Sequence, residues 1–288
     1  MKEELPILFR DEHLVAVHKP SGLLVHRTVL DRHETRFAVQ ILRDQIGQHV
    51  HPVHRLDRGT SGVLLFALDR DIGRVLSAQF ETQQVDKIYL AIVRGHPEEA
   101  GVIDHPLTRQ YDDYEFRAPD SIGEAQSALT RYHRLATVEL PYRVDRYPTS
   151  RYALLELKPE TGRRHQLRRH LKHLAHPIVG DATYCKGRHN RLFQELFGCH
   201  RMLLACMEMR LTHPVSGEPL KLSAPLSDDF ASVLDALGWE NQDSRSLPDQ
   251  SGSHTGNTPF SPAGQANFTS TPKPATQARR SPHHRYGR

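Results

Sequence analysis

The segment HRLDRGTSG, residues 54–62, places one carboxylate between two guanidiniums. Asp57 is flanked by Arg55 and Arg58, and residues 62–68 form an apolar run that we interpret as a buried strand. A carboxylate that is fixed in this way and held ionised by cations can act as a nucleophile or accept a proton. The segment therefore singles out Asp57 as an acid held beside cations at the start of a buried strand.

A second patterned segment covers residues 161–181. Three leucines recur at i, i+4 and i+7, which predicts a helix with one apolar face: Leu167, Leu171 and Leu174. We expect Thr161 or Gly162 to cap the start of this helix and Pro177 to end it.

Arg168 lies next to the leucine face of this helix. A guanidinium at the edge of a buried face needs a partner, because an isolated buried charge is very costly. Residues 161–180 contain no acid, so the partner must come from elsewhere, and Asp57 is a candidate. The alternative is a solvated basic face on which Arg168 pairs with any nearby carboxylate.

The elements that must position these residues are short strands and helices. Strand patterns occur at residues 13–18, 62–68, 87–93, 128–134 and 152–158, and helical spacing occurs at residues 72–80 and 230–237. The two kinds of element interleave without repeated βαβ units. This favours an α+β fold with a mixed sheet over a doubly wound parallel one.

Composition indicates a globular domain followed by a tail. The chain has 288 residues, 38% hydrophobic and 25% charged, and we expect a domain over residues 1–240. Residues 241–288 are rich in Ser, Pro and Gly and carry six basic residues and two acids, which accounts for the whole net charge of +4. We expect this tail to be disordered.

The sequence also indicates where the protein works. It contains no apolar run of about 18 residues and no signal-peptide pattern, so we expect a cytoplasmic protein without a membrane span. The cysteines Cys185, Cys199 and Cys206 have no CxxC spacing, which suggests reduced thiols. Histidines crowd residues 165–176, but cations surround them and no acid or cysteine stands at ligand spacing. We therefore expect no metal site.

Residues 54–62 and 161–181 resemble the hallmark motifs of the RluA-type pseudouridine synthases. HKPSGLLVH (18–26), KIYLAIVRG (87–95) and LTHPVSGEPL (211–220) resemble other segments of that family, so the resemblance spans roughly residues 5–225. The stretches IGQHV (46–50) and RYPTSRYALLELKPETGRRHQLRRHL (146–171) are most similar to a bacterial group that modifies a uridine in the tRNA T-stem, at tRNA position 65.

The resemblance implies a fold, a reaction and a partner. The fold would be the α+β pseudouridine synthase fold, with a mixed, mostly antiparallel sheet and no S4-type domain in front. The reaction would break the glycosidic bond of a uridine, turn the base and rejoin it through carbon, with no cofactor. The partner would be tRNA, bound by a monomer. Alternatives are a ribosomal RNA substrate, a non-catalytic RNA-binding module, or a metal-dependent hydrolase built on the histidines.

The resemblance also implies residue roles. Asp57 would be the ionised carboxylate beside the ribose, and Arg168 would be the cation that keeps it charged. Tyr89 would lie against the uracil ring, although a core tyrosine is the alternative. Arg55 would enter the RNA helix as the target nucleotide leaves it, unless it is an ordinary surface arginine.

Further residues would bind substrate. Thr60 would shape the turn that holds Asp57 and contribute to substrate binding, and the expected phosphate contacts are Arg163, Arg164, Arg169 and Lys172. The chain departs from the family pattern at one point. Ala205 and Cys206 stand where a His-Ala pair is usual, so local packing or RNA contacts there could differ.

Overall fold

The computed structural model describes residues 3–27, 34–108 and 124–239. The strands are β1 (Ile7–Arg10), β2 (Leu14–Lys19), β3 (His51–Pro52), β4 (Ser61–Ala67), β5 (Asp86–Arg94), β6 (Ala100–Asp104), β7 (Leu107–Thr108), β8 (Ala125–Gln126), β9 (Leu129–Leu140), β10 (Ser150–Pro159), β11 (Leu204–Thr212) and β12 (Pro219–Ser223). The helices are α1 (Ala38–Ile46), α2 (Arg70–Glu81), α3 (Gln166–His173), α4 (Gly187–Phe197) and α5 (Asp228–Ala236).

Ten of these strands form one mixed sheet. Its order is β1-β2-β4-β11-β5-β10-β9-β6, with β3 paired to β4 and β12 paired to β11. β11 runs parallel to β4, and the other ladders of this sheet are antiparallel. The predicted α+β class with a mixed, mostly antiparallel sheet is confirmed.

The predicted strands are present, and one central strand was not predicted. The five predicted segments correspond to β2, β4, β5, β9 and β10, although β9 extends to Leu140. β4 is buried at all seven positions, as its continuous apolar run implies for a strand covered on both faces. β11 lies between β4 and β5, and its apolar run is the signal by which the sequence could have revealed it.

The helical predictions were correct for α2 and α5 and wrong about the start of α3. Asp69 caps α2 by accepting hydrogen bonds from the amides of Asp71 and Ile72. Neither Thr161 nor Gly162 caps α3, which begins at Gln166 after His165 adopts a left-handed conformation with φ of 53°. The reason is that the Gln166 side chain accepts from the Thr161 hydroxyl (2.6 Å) and donates to the Leu129 carbonyl of β9 (3.0 Å), so residues 161–165 form a loop tied to β9.

The end of α3 and its apolar face are close to expectation. The helix stops at His173, four residues before Pro177. Leu167 and Leu171 are buried, and Leu174 packs partly buried against the same cluster. This packing fixes the rotation of α3, and Arg168 therefore lies at the edge of the buried face as the leucine spacing predicts.

Within the described ranges, none of the helices has both the length and the apolar character needed to cross a membrane. The predicted tail, residues 241–288, lies outside the described residues.

Candidate active site

Asp57 and Arg168 meet across the fold, although 111 positions separate them in sequence. Asp57 lies in the loop before β4, and Arg168 lies in the first turn of α3. The Nη1 atom of Arg168 donates a hydrogen bond of 3.1 Å to Oδ2 of Asp57. Their side chains are 11% and 19% exposed, so the pair is shielded while the carboxylate still reaches a cleft.

A second carboxylate, which the sequence prediction missed, fixes the guanidinium. Asp181 accepts two hydrogen bonds from Arg168, from Nε (2.7 Å) and from Nη2 (2.9 Å). The Asp181 side chain is fully buried, and its Oδ1 also accepts the backbone amides of Thr183 (2.8 Å) and Tyr184 (3.1 Å). Asp181 is the last residue of the segment 161–181, and this position within the motif is the signal by which the sequence could have indicated it.

The two carboxylates keep Arg168 charged. Burial alone would lower the pKa of Arg168, but the hydrogen bonds and charges of Asp181 and Asp57 outweigh burial and raise it. Burial would raise the pKa of Asp181, and the hydrogen bonds and charge of Arg168 lower it instead. The result is a fixed cation whose Nη1 points at Asp57 while Nε and Nη2 are held from behind.

The loop that carries Asp57 is anchored to the turn after β2. Lys19 is completely buried, and its ammonium donates to the carbonyl oxygens of Leu23 (2.7 Å) and Arg58 (3.3 Å). The Gly22 amide also bonds the Arg58 carbonyl (2.8 Å). The segment HKPSG therefore positions the loop that carries Asp57.

A close backbone approach places Tyr89 beside this loop. Gly62 has φ of 110°, and a Cβ atom built there would lie 2.0 Å from the carbonyl oxygen of Cys206. β4 and β11 can meet at this point because residue 62 lacks a side chain. On the other side of β11, Cys206 pairs in register with Tyr89 of β5. Burial, followed by the charge of Cys206 and a hydrogen bond to it, raises the pKa of the Tyr89 phenol, which therefore stays neutral.

These residues line one cleft of about 580 Å³. The residues that line it include eight of the nine predicted site residues: Arg55, Asp57, Thr60, Tyr89, Arg163, Arg164, Arg168 and Arg169. Lys172 is exposed one turn further along α3 and does not line the cleft. The volume falls within the usual range for sites that bind small organic groups.

Backbone carbonyl groups hold two of the cationic residues of the cleft. Arg163 donates to the Ser127 carbonyl (3.0 Å), and Arg169 donates to the Thr108 carbonyl (3.0 Å). The buried Thr60 donates its amide to the Asp57 carbonyl (3.0 Å), which closes the turn before β4. Arg55 is exposed at the mouth of the cleft.

His165 and Tyr184 are further site residues that the sequence prediction missed. His165 Nε2 lies 3.9 Å from Asp57 Oδ1, and burial lowers the pKa of His165, which favours the neutral imidazole. His165 Nδ1 is 3.2 Å from the Tyr184 hydroxyl, and the Arg168 guanidinium lies 5.0 Å from the centre of the Tyr184 ring. These contacts follow from the loop at 161–165, where a helix was expected.

The clustered histidines have structural partners. His170 is buried between the Thr130 hydroxyl and the His105 carbonyl (both 3.0 Å), and His173 stacks on His105 at 3.7 Å. Within the described ranges, no three His, Cys, Asp or Glu side chains are grouped as metal ligands. Ala205, at the position of the departure from the family pattern, is buried in the apolar cluster under β11.

Several known proteins are similar to this chain in sequence. The family model described as RNA pseudouridylate synthase matches residues 13–173. A tRNA pseudouridine synthase C from Vibrio cholerae is 51% identical over 236 residues, which cover 82% of this chain and 97% of the relative. A tRNA pseudouridine synthase C from Haemophilus influenzae is 47% identical over 82% of this chain and 99% of its own.

Two solved structures are also similar to this chain, at lower sequence identity. The structure of human RNA pseudouridylate synthase domain containing 4 is similar with a TM-score of 0.61 and 29% identity, covering 81% of this chain and 93% of that one. Human RNA pseudouridylate synthase domain containing 1 is similar with a TM-score of 0.59 and 28% identity, covering 78% and 85%.

Proposed function

Because the chain belongs to the RNA pseudouridylate synthase family, we propose that it isomerises a uridine of tRNA to pseudouridine, with Asp57 as the catalytic carboxylate. The single observation that carries the assignment of the site is the Asp57–Arg168 pair, 3.1 Å apart at the wall of a cleft that also contains Tyr89. The names of the relatives support tRNA as the substrate.

Asp57 acts in the step that breaks the N-glycosidic bond between base and ribose, after which the turned base rejoins the ribose through carbon. Arg168 stabilises the ionised carboxylate through Nη1, and Asp181 holds the guanidinium so that it does not need to reorganise during the reaction. An ionised carboxylate in this position can attack carbon or accept a proton from the sugar. Both routes require the same fixed charge.

Tyr89 and the cationic rim bind the substrate. A uridine inside an RNA stem cannot reach Asp57 unless it leaves the stack, which costs a few kcal/mol. Stacking on an aromatic ring returns about 1–3 kcal/mol per base, and the neutral phenol of Tyr89 faces the cleft. Arg55 at the mouth of the cleft fills the space that the base vacates, since a planar cation can stack and bind phosphate.

The phosphates next to the target uridine contact the basic rim: Arg163, Arg164, Arg169 and, beyond the cleft, Lys172. The target is the T-stem uridine at tRNA position 65, and the similarity to bacterial tRNA pseudouridine synthases supports this choice over ribosomal RNA. The protein acts as a monomer in the cytoplasm, and the tRNA named for its bacterial relatives supports that location.

The test is Asp57→Asn assayed on an unmodified tRNA transcript, with pseudouridine mapped at each position. We expect no product above background and tRNA binding within a few fold of the wild type, because the amide preserves the shape but neither attacks nor accepts a proton. Asp71→Asn is the matched control, since that side chain is 87% exposed on α2. Normal turnover by Asp57→Asn would show that Asp57 is not the catalytic carboxylate. If the wild type formed pseudouridine only in ribosomal RNA, the substrate would be ribosomal RNA and not tRNA.

A further inference from the structure

The hairpin between β9 and β10, residues 141–149, exposes an unusual set of side chains. Tyr142 and Tyr147 are 43% and 58% exposed, and Arg143 and Arg146 are exposed beside them. The Arg146 guanidinium lies over the Tyr147 ring, 4.6 Å from its centre. Grouped exposed aromatic rings on a soluble protein mark contact surfaces. The Arg146–Tyr147 pair places a cation beside an exposed aromatic ring.

The start of α4 adds two more cations next to the hairpin. Lys186 Nζ lies 2.9 Å from Oδ2 of Asp145, and an Nη1 atom of Arg188 lies 3.9 Å from its Oδ1. We call the set Arg143, Arg146, Tyr147, Lys186 and Arg188 the hairpin face. It contains four cations, and Asp145 is the acid within the hairpin residues.

Asp145 does not neutralise the hairpin face. Its carboxylate is shared between Lys186, Arg188 and the buried His189, while the side chain of Arg143 donates to the Asp145 carbonyl oxygen (3.3 Å). The Arg146 guanidinium donates to the Tyr147 hydroxyl. The face therefore keeps a net positive charge, and a partner with negative charges fits it.

The hairpin face adjoins the catalytic cleft. Tyr184 contacts both His165 and Arg168 at the cleft, and Lys186 follows two residues later, at most about 7 Å along the chain.

We propose that the hairpin face binds a part of the substrate RNA beyond the stem that holds the target uridine, with phosphates on Arg143, Lys186 and Arg188 and an unpaired base stacked on Tyr147. The inference rests on the proposed function, because it assumes an RNA substrate. Arginine binds phosphate with a planar fork of donors, and a tyrosine ring accepts any base face. An acidic protein could pair with the cations, but it would leave the exposed Tyr147 ring without a role.

The test uses Arg143→Ala/Arg146→Ala and, separately, Tyr147→Ala, with a labelled full-length tRNA transcript and an isolated T-arm hairpin as probes. For full-length tRNA we expect each variant to weaken binding about 5-fold or more and to raise KM with kcat within twofold. The slope of log affinity against log salt falls by about 0.8 for the double arginine variant, because Arg143 is the one phosphate contact that it removes. The T-arm hairpin binds all forms equally.

Arg70→Ala/Arg74→Ala is the matched control, because it removes the same charge from exposed positions on α2. Unchanged affinity and salt slope for full-length tRNA would overturn the proposal and leave an acidic protein as the partner. Equal losses on both probes would also overturn it, since the contact would then belong to the T-arm site. Binding is measured without turnover, so tRNA that binds through the face but stays unmodified would refute the proposed function and support this inference.

Discussion

Replacing Arg168 by methionine separates the two roles that the structure gives to this guanidinium. Arg168 stabilises Asp57 at the cleft, and it also neutralises Asp181, whose side chain is fully buried. The substitution removes both interactions while it keeps a side chain of similar length. We therefore expect a loss of stability and a loss of activity that have different origins.

The loss of stability comes from Asp181. Removing one partner of a buried ion pair typically costs about 3–5 kcal/mol, because the remaining charge is left uncompensated. For a domain of this size, each kcal/mol lowers Tm by about 2–4 °C, so we expect Arg168→Met to melt roughly 10 °C below the wild type. The amides of Thr183 and Tyr184 still bond Asp181 and moderate the cost.

A double variant distinguishes the two roles. Arg168→Met/Asp181→Asn leaves no buried charge unpaired, so we expect it to regain most of the lost Tm. Its kcat should stay about 100-fold or more below the wild type, because Asp57 still lacks its fixed cation. The assays are thermal unfolding and single-turnover pseudouridine formation.

The result that would refute this reasoning is a double variant that regains both Tm and kcat. Arg168 would then matter only for folding. Arg169→Met is the control, since the Arg169 guanidinium donates to the Thr108 carbonyl, whereas the Arg168 guanidinium donates to Asp57 and Asp181. Equal losses in Arg168→Met and Arg169→Met would mean that α3 is merely a charged face.

Two further predictions concern the elements around the cleft. Gly62→Ala should lower both stability and activity, because the alanine Cβ atom would lie 2.0 Å from the Cys206 carbonyl oxygen and force β4 away from β11. An unchanged Tm together with unchanged activity would contradict this close approach of the two strands. Burial lowers the pKa of His54 from 6.5 to about 3, so the unfolded chain takes up this proton first and the stability is lost as pH falls from 6.5 towards 3. His54→Gln should make the fall in unfolding free energy with acid shallower by about 1.4 kcal/mol per pH unit over that window, measured by denaturant titration at several pH values; an identical slope would show that His54 is not the group that titrates.

The expected contact between Arg168 and Asp57 is present, and the catalytic roles of the two residues stay a prediction. The spacing of Leu167 and Leu171 places Arg168 at the edge of a buried face. Residues 161–180 contain no acid, which indicates that the partner of Arg168 lies outside this segment. Asp181 lies one residue beyond that interval. No periodicity marks it, because its role depends on the loop that returns it beneath the guanidinium.

The sequence alone determined the types of the elements that it predicted, the α+β class and the motif that carries Asp57, since these follow from side-chain periodicity and from residues adjacent in the chain. The tertiary structure decided the rest. It converted residues 161–165 from a helix start into a loop, because Gln166 bonds Leu129 of β9, and it set β11 between β4 and β5, where Gly62 permits the approach. These outcomes depend on contacts between segments far apart in sequence, which local pattern does not encode.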